Sequence, residues 1–202
     1  ADTLKITLRD ETGIVEVQLM YGVLEKEDVI TRAVIIKNTG RGNVTLKKAA
    51  AAALDFVSGD FDVISFYGKH NMDPGVILAD REATEDAGSC YGMLFLYSGN
   101  FLCEVEKDQY NQTRFLMGLG TEQFDYSLAS GEELIVPEAV LSYSAAGLSG
   151  LSRQYQSCIR DHVCRGKYVH TSRPVLINSW EANHFDFNGD TIVDLAKEAA
   201  AL

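Results

Sequence analysis

Up to about residue 143, apolar and polar residues alternate with a period of two, the pattern of strands that bury one face. The alternation runs through residues 4–9 and 15–19, and the run 29–37 is rich in β-branched residues. Turn signals such as Asn38-Thr39-Gly40 separate these stretches, which is typical of antiparallel sheets. Further strands are predicted at residues 44–46, 61–67, 90–97, 101–107, 113–119, 134–136 and 139–143. The sequence therefore predicts a mainly β fold, an antiparallel sandwich.

Two segments of this region carry a less regular pattern. Residues 49–53 are consecutive alanines, which favour a helix by intrinsic propensity. The large apolar side chains that follow, Leu54 and Phe56, fit a closely packed strand instead, and we predict a strand. Residues 68–88 contain Pro74, Gly75 and five acidic residues, and we predict a loop.

Near Ala146 the period changes to that of a helix, which predicts an amphipathic helix of about four turns. The positions at this spacing are Leu148, Leu151, Tyr155, Ile159, His162 and Val163. Beyond the stop signal Gly166, the apolar run 175–177 predicts a short buried strand. Asn188 and Asp190 are candidate N-caps of a last helix. Strand, loop and helix make half of a parallel βαβ unit, so we expect the rest of that domain to lie outside this chain.

The charge of the chain limits its partners. It has 18 Lys and Arg residues against 29 Asp and Glu residues, a net charge of −11, and the basic residues are scattered. Nucleic acids and anionic membranes are bound by clustered basic residues, so we expect neither as a partner. Because no apolar stretch is long enough to span a membrane and no signal peptide is recognisable, we expect a cytoplasmic protein.

The four cysteines do not form a metal-binding pattern. Cys90, Cys103, Cys158 and Cys164 include no C-x-x-C pair, and no histidine stands at the spacing of a zinc finger. Four cysteines in a chain of this length are also too few for a disulfide scaffold. We expect buried reduced thiols, and neither a metal nor an organic cofactor.

Trp180 is the candidate binding residue. It follows the predicted strand 175–177 directly, at the strand end where α/β barrels bind their ligands. Its indole could stack on the apolar face of a sugar ring, or it could simply close a hydrophobic core. Asp186 and Asp190 could form the carboxylate pair of a glycosidase, but their position in a turn favours helix capping.

Several blocks of the chain resemble, in the same order, the glycoside hydrolase family 36 α-galactosidases. Residues 173–182, RPVLINSWEA, and 185–188, FDFN, resemble the start of that family's catalytic barrel. Upstream, the matching blocks are 28–32, 37–40, 83–86, 97–102 and 105–110, with the helix end at 160–167. The resemblance implies an antiparallel β-supersandwich over 1–143, incomplete at its N-terminus. It implies a linking α-helix and linker over 144–172, and the first βα unit of a truncated (β/α)8 barrel over 173–202.

The resemblance also implies an activity, the retaining hydrolysis of terminal α-galactosides such as melibiose and raffinose. Trp180 matches the tryptophan that lines the galactose subsite, and Asn178 and Glu181 stand beside it as possible supports. The family's Asp-Asp-Gly-Trp strand and its catalytic aspartates would follow Leu202, so no catalytic residue is assigned in this chain. Members of the family are commonly homotetramers, and we expect a homo-oligomer.

Three departures from the family pattern keep other functions open. Family members are several times longer than this chain. About fifteen residues, 68–82, stand where the family usually has a longer loop, which either a true deletion or an unobserved loop would explain. Ser179 and Asn183 replace the usual Asn and Thr. The alternatives are a non-catalytic carbohydrate-binding or structural sandwich module, and a related α-glycosidase or galactosyl-transferring enzyme on the same scaffold.

Overall fold

The computed structural model describes residues 3–57, 59–65, 75–120 and 124–201, and it divides the chain into two units, Ala1–Val163 and Cys164–Leu202. Strands make up most of the first unit. They are β1 Thr3–Arg9, β2 Val15–Leu24, β3 Val29–Asn38, β4 Val44–Leu46, β5 Ala49–Phe56, β6 Phe61–Ser65, β7 Gly75–Asp80, β8 Cys90–Phe95, β9 Leu102–Lys107, β10 Thr113–Leu119, β11 Tyr126–Leu128 and β12 Glu133–Ser144.

These strands form a large sheet of order β1-β2-β3-β12-β8-β7-β6, a second sheet of order β5-β10-β9, and the pair β11-β4. Neighbouring strands all run antiparallel. The core contains side chains from both larger sheets, with Leu78, Met93 and Phe95 from the first and Phe115 and Met117 from the second. The period-two pattern arises because alternate residues point to this core. The predicted antiparallel β-sandwich is confirmed.

The alanine run forms strand β5, as predicted. Its burial and its close pairing with β10 explain why it does not form a helix. Ala51 and Ala52 are fully buried, and β5 pairs with β10 through a bulge at Met117 and Gly118. A Cβ atom on Gly118 would lie 2.3 Å from the carbonyl oxygen of Ala49. Strand β10 therefore has no room for a side chain at position 118, and the burial of Ala51 and Ala52 in the core overrides the helix propensity of the alanine run.

We expect Gly118→Ala to destabilise the sandwich by about 2 kcal/mol, since the new methyl group would meet rigid backbone atoms. Gly42→Ala is the matched control, because a Cβ at Gly42 would meet no atom within 4 Å. Thermal unfolding of both variants beside the parent protein measures the difference. Equal melting temperatures for the two variants would contradict the close approach.

The prediction of a loop over 68–88 is wrong for its middle part. Residues 75–80 form β7, which pairs with both β6 and β8, and Leu78 is fully buried. The apolar run 76–79 carries this strand, and the acidic residues around it hid the signal. Residues 81–89 do form a loop, whereas 66–74, which include the end of the predicted strand 61–67, lie outside the described residues.

The linking helix is confirmed as α1 Gly147–Cys158, and a π-helical turn, Ile159–Val163, continues it. The helix packs on the large sheet's face opposite the second sheet, where Leu151 is buried. The Tyr155 hydroxyl donates a 3.2 Å hydrogen bond to the carbonyl of Val140. Burial raises the pKa of this phenol, which keeps it protonated as a donor.

In the second unit, the predicted buried strand 175–177 is wrong. These residues form no strand, and Val175 and Leu176 are 93% and 91% exposed. A strand needs a neighbour to satisfy its backbone groups, and the described part of this unit offers none. The segment lies instead beside the last helix, where Leu176 and Ile177 line a shallow pocket with Ile192.

Two helices follow in this unit, α2 Trp180–Asn183 and α3 Gly189–Ala200. Asn188 is the N-cap of α3, as predicted, and its side chain accepts 3.0 Å hydrogen bonds from the backbone N–H groups of Asp190 and Thr191. The other candidate cap, Asp190, lies instead in the first helical turn, where a carboxylate complements the helix dipole. No helix in the described part of the chain has the length and apolar character needed to cross a membrane.

All four cysteines are free thiols. Cys90 and Cys158 are buried, as predicted, whereas Cys103 and Cys164 are partly exposed. Burial raises the pKa of Cys90 and Cys158, and it raises that of Cys103 to about 11, with the neighbouring Glu104 carboxylate adding to the effect. These three thiols are therefore poor nucleophiles near neutral pH.

We expect Cys103 to react with iodoacetamide about a hundredfold more slowly in the folded protein than in urea at pH 8. A raised pKa lowers the thiolate fraction at pH 8, and the rate should recover as the pH rises towards 11. Peptide mass spectrometry of timed samples gives the rate. Equal rates in the folded and unfolded protein would show that Cys103 is not shielded.

Candidate functional site

Trp180 begins the short helix α2, and a side chain just before it fixes this start. The Asn178 side-chain oxygen accepts a 2.9 Å hydrogen bond from the backbone N–H of Trp180. At the other end, the backbone N–H of His184 donates to the carbonyl of Trp180 at 2.9 Å. Asparagine commonly closes such turns because its short side chain reaches the N–H two residues on. Asn178 therefore orients the backbone that carries the indole.

The indole contacts two other rings and remains open to solvent. The ring centroids of His184 and Phe185 lie 5.3 Å and 4.8 Å from that of Trp180, both in edge-to-face contact. The tryptophan itself is 44% exposed. An accessible indole offers a flat apolar surface and one N–H donor, which suits a sugar ring with its hydroxyl groups.

Sequence reasoning identified Trp180 and missed the two rings that contact it. His184 belongs to no sequence motif, and Phe185 enters only as the first residue of the block 185–188. Their spacing of four and five residues from Trp180 was the available signal, because one helical turn and a bend bring such positions together. Glu181, expected beside the tryptophan, is exposed in the first turn of α2.

Asp186 and Asp190 belong to the turn that leads into the last helix. The backbone N–H of Asp186 donates to the Asn183 carbonyl at 2.9 Å, and Asp190 lies in the first turn of α3. Both carboxylates are exposed. This placement fits the role at the helix start that their position in the sequence favoured.

Within the described ranges, no group of three or more His, Cys, Asp or Glu side chains is arranged to hold a metal ion. The chemistry that these residues offer is the binding of a neutral, hydroxyl-rich ligand by an aromatic surface.

Two family models match consecutive parts of the chain. The glycosyl hydrolase family 36 N-terminal domain matches residues 1–72 and 69–129, and Melibiase matches residues 134–202. The first model therefore covers strands β1 to β11, and the second includes most of β12, the linking helix and Trp180. The two stretches of the first model meet at residues 69–72, inside the segment 68–82 where the family usually has a longer loop.

Curated relatives match the chain over its whole length. The bifunctional alpha-galactosidase/sucrose kinase AgaSK of Mediterraneibacter gnavus is 62% identical over 229 aligned positions, which cover 100% of this chain and 24% of that protein. Alpha-galactosidase AgaA of Geobacillus stearothermophilus is 36% identical, over 100% of this chain and 31% of that protein. The chain thus spans about a quarter to a third of the length of these relatives.

Solved structures agree with the fold described above. The galactosidase domain of AgaSK superposes with a TM-score of 0.91 at 62% identity, covering 98% of this chain and 31% of that one. The GH36 alpha-galactosidase AgaA A355E D548N from Geobacillus stearothermophilus, solved in complex with raffinose, superposes with a TM-score of 0.88 at 34% identity. It covers 98% of this chain and 32% of that one. With its sandwich, its linking helix and the segment around Trp180 all matched, the chain belongs to glycoside hydrolase family 36.

Proposed function

We propose that this chain is part of a retaining α-galactosidase that hydrolyses terminal α-galactosyl residues of oligosaccharides such as melibiose and raffinose. Two features support this activity. The chain belongs to glycoside hydrolase family 36, and its 62% identical relative is named as an alpha-galactosidase as well as a sucrose kinase. Two solved AgaA structures are complexes with raffinose and stachyose.

The observation that carries the proposal for the site is the half-open indole of Trp180 within the segment that matches Melibiase. In the full-length protein, this indole lines the galactose subsite at the rim of the barrel. Asn178 supports it through the 2.9 Å hydrogen bond to its backbone, and Glu181 stands beside it in the same helix. Stacking on the apolar face of galactose needs no charge, so this contact supplies binding and orientation rather than proton transfer.

The catalytic carboxylates of the proposed enzyme lie outside residues 1–202. A retaining glycosidase needs two carboxyl groups about 5–5.5 Å apart, one as nucleophile and one as acid and base. The carboxylates nearest Trp180 in sequence, Glu181 and Asp186, are exposed, and Asp186 belongs to the turn before α3. We therefore infer that this chain alone does not hydrolyse α-galactosides.

We also propose a cytoplasmic location and a homo-oligomeric, tetrameric assembly for the full-length protein. The free thiols suit a reducing compartment, and the assembly rests on the family resemblance. Nucleic acids and membranes are not among the proposed partners, because the net charge of −11 disfavours anionic surfaces. Light scattering of the full-length protein gives its mass, and a monomer would refute the tetramer.

Nuclear magnetic resonance on the full-length protein tests the reaction. With raffinose as substrate, we expect the galactose released first to be the α-anomer, because double displacement retains configuration. A matched α-glucoside should not be hydrolysed. Release of the β-anomer, or turnover of the glucoside alone, would contradict the proposal. Binding of galactose without turnover would instead favour a carbohydrate-binding module, and transfer to a sugar acceptor in place of water would favour a galactosyl-transferring enzyme.

A further inference from the structure

A buried carboxylate lies in the short connection between β2 and β3. This connection is the 3-10 helix Glu25–Glu27, in which Glu25 and Lys26 are exposed. The side chain of Glu27, in contrast, is only 5% exposed. Withdrawing a carboxylate from water is costly unless cationic or hydrogen-bonding partners replace the lost hydration.

The partners of Glu27 come from its own connection and from the end of the linking helix. One carboxylate oxygen lies 3.4 Å from Nε2 of His162, and the other lies 3.7 Å from Nζ of Lys26. Nζ of Lys26 also lies 3.4 Å from a carboxylate oxygen of Asp161. Glu27 and Lys26 of the connection thus contact His162 and Asp161 of the π-helical turn, respectively.

The π-helical turn lies at the surface of the sandwich. None of its five residues is buried, and Ile159 and Val163 are partly exposed. π-helical turns are rare and often occur at functional sites. The contacts with Glu27 and Lys26 attach this turn to the sandwich through polar side chains.

The connection that carries Glu27 is itself firmly attached to the large sheet. Asp28, which follows Glu27, has a φ of 53°, and its carbonyl accepts a 2.9 Å hydrogen bond from the hydroxyl of Ser142 in β12. Val29, at the start of β3, is buried together with Cys158, the last residue of α1. The Glu27 carboxylate thus stands on a connection that is fixed to the large sheet, and it faces the π-helical turn.

We propose that Glu27 is a positioning residue, which fixes the end of the linking helix at the point where the chain leaves the sandwich for the segment that carries Trp180. It acts through His162, with Lys26 and Asp161 as a second, more exposed pair. Its effect on catalysis rests on the function proposed above, whereas its effect on the turn does not.

Hydrogen exchange of the full-length protein tests the attachment. In Glu27→Gln, we expect the amides of residues 159–163 to exchange about tenfold faster, and those of β8 and β12 to keep their rates. Glu25→Gln is the matched control, since Glu25 is exposed on the same connection. Equal exchange in the two variants would overturn the proposal. Faster exchange through β8 and β12 as well would also overturn it, because Glu27 would then be a general stability residue.

A double-mutant cycle with His162→Gln tests the partner. If Glu27 acts through His162, the combined variant should raise exchange no more than Glu27→Gln alone. Additive effects would overturn the assignment of His162. In the activity assay, Glu27→Gln should raise KM for an α-galactoside severalfold and change kcat less, because a looser turn before the segment of Trp180 weakens a binding contact and leaves proton transfer unchanged. An absence of any hydrolysis in the parent protein would refute the proposed function and leave the exchange result intact.

Discussion

Trp180→Ala in the full-length protein should lower kcat/KM for α-galactosides by about 10- to 200-fold, which corresponds to about 1–3 kcal/mol of transition-state binding. The indole is 44% exposed while it packs against the rings of His184 and Phe185, so it can present its exposed surface to a sugar. Removing it deletes the apolar surface and the N–H donor together. Steady-state kinetics with melibiose and raffinose measure the loss.

Trp180→Phe is the control that separates binding from packing. It keeps a flat apolar ring and loses the N–H donor, so we expect it to recover part of the activity. The melting temperature of each variant is measured on the same preparation. If Trp180→Ala lowers the melting temperature sharply and leaves kcat/KM unchanged, the tryptophan closes a hydrophobic core and does not bind substrate.

Phe115→Ala should be among the most destabilising single changes in the sandwich. Phe115 lies on the central strand of the second sheet, is fully buried, and faces Leu54 and Val105 on the flanking strands. Truncating a buried phenylalanine removes its apolar contacts and leaves a cavity, at a cost of about 3–5 kcal/mol. Val57→Ala, at an exposed position close to the end of β5, should change stability by less than about 0.5 kcal/mol. Urea unfolding followed by circular dichroism compares them, and similar midpoints would contradict the placement of Phe115 in the core.

The sandwich was predictable because its strands bury one face each. The same alternation that places Leu19 and Val34 towards the core is visible in the sequence of β2 and β3. Strand β7 was missed because its apolar run is short and is flanked by acidic residues. In the structure it is largely buried and pairs with β6 on one side and with β8 on the other. The three-residue strand β11 left no periodic signal, since it has too few residues to show one.

The site was predictable only in part. Trp180 was found through its motif, and the contact of Asn178 with its backbone agrees with the expected support. The strand expected at 175–177 depends on neighbours, because a barrel strand forms its hydrogen bonds with the strands on either side. Its apolar residues carry the signal of a buried strand, and in this chain they remain exposed. The side-chain attachment of Glu27 to His162 joins positions 135 residues apart and leaves no local pattern.

The most direct test of the account measures galactose released from raffinose by the full-length protein and by residues 1–202 at equal molar concentration. We expect steady release by the full-length protein and none by the chain alone, because the proposed catalytic carboxylates lie outside residues 1–202. A mock preparation from cells that express neither protein corrects for contaminating enzyme. Steady turnover by residues 1–202, or no galactose from the full-length protein, would contradict it.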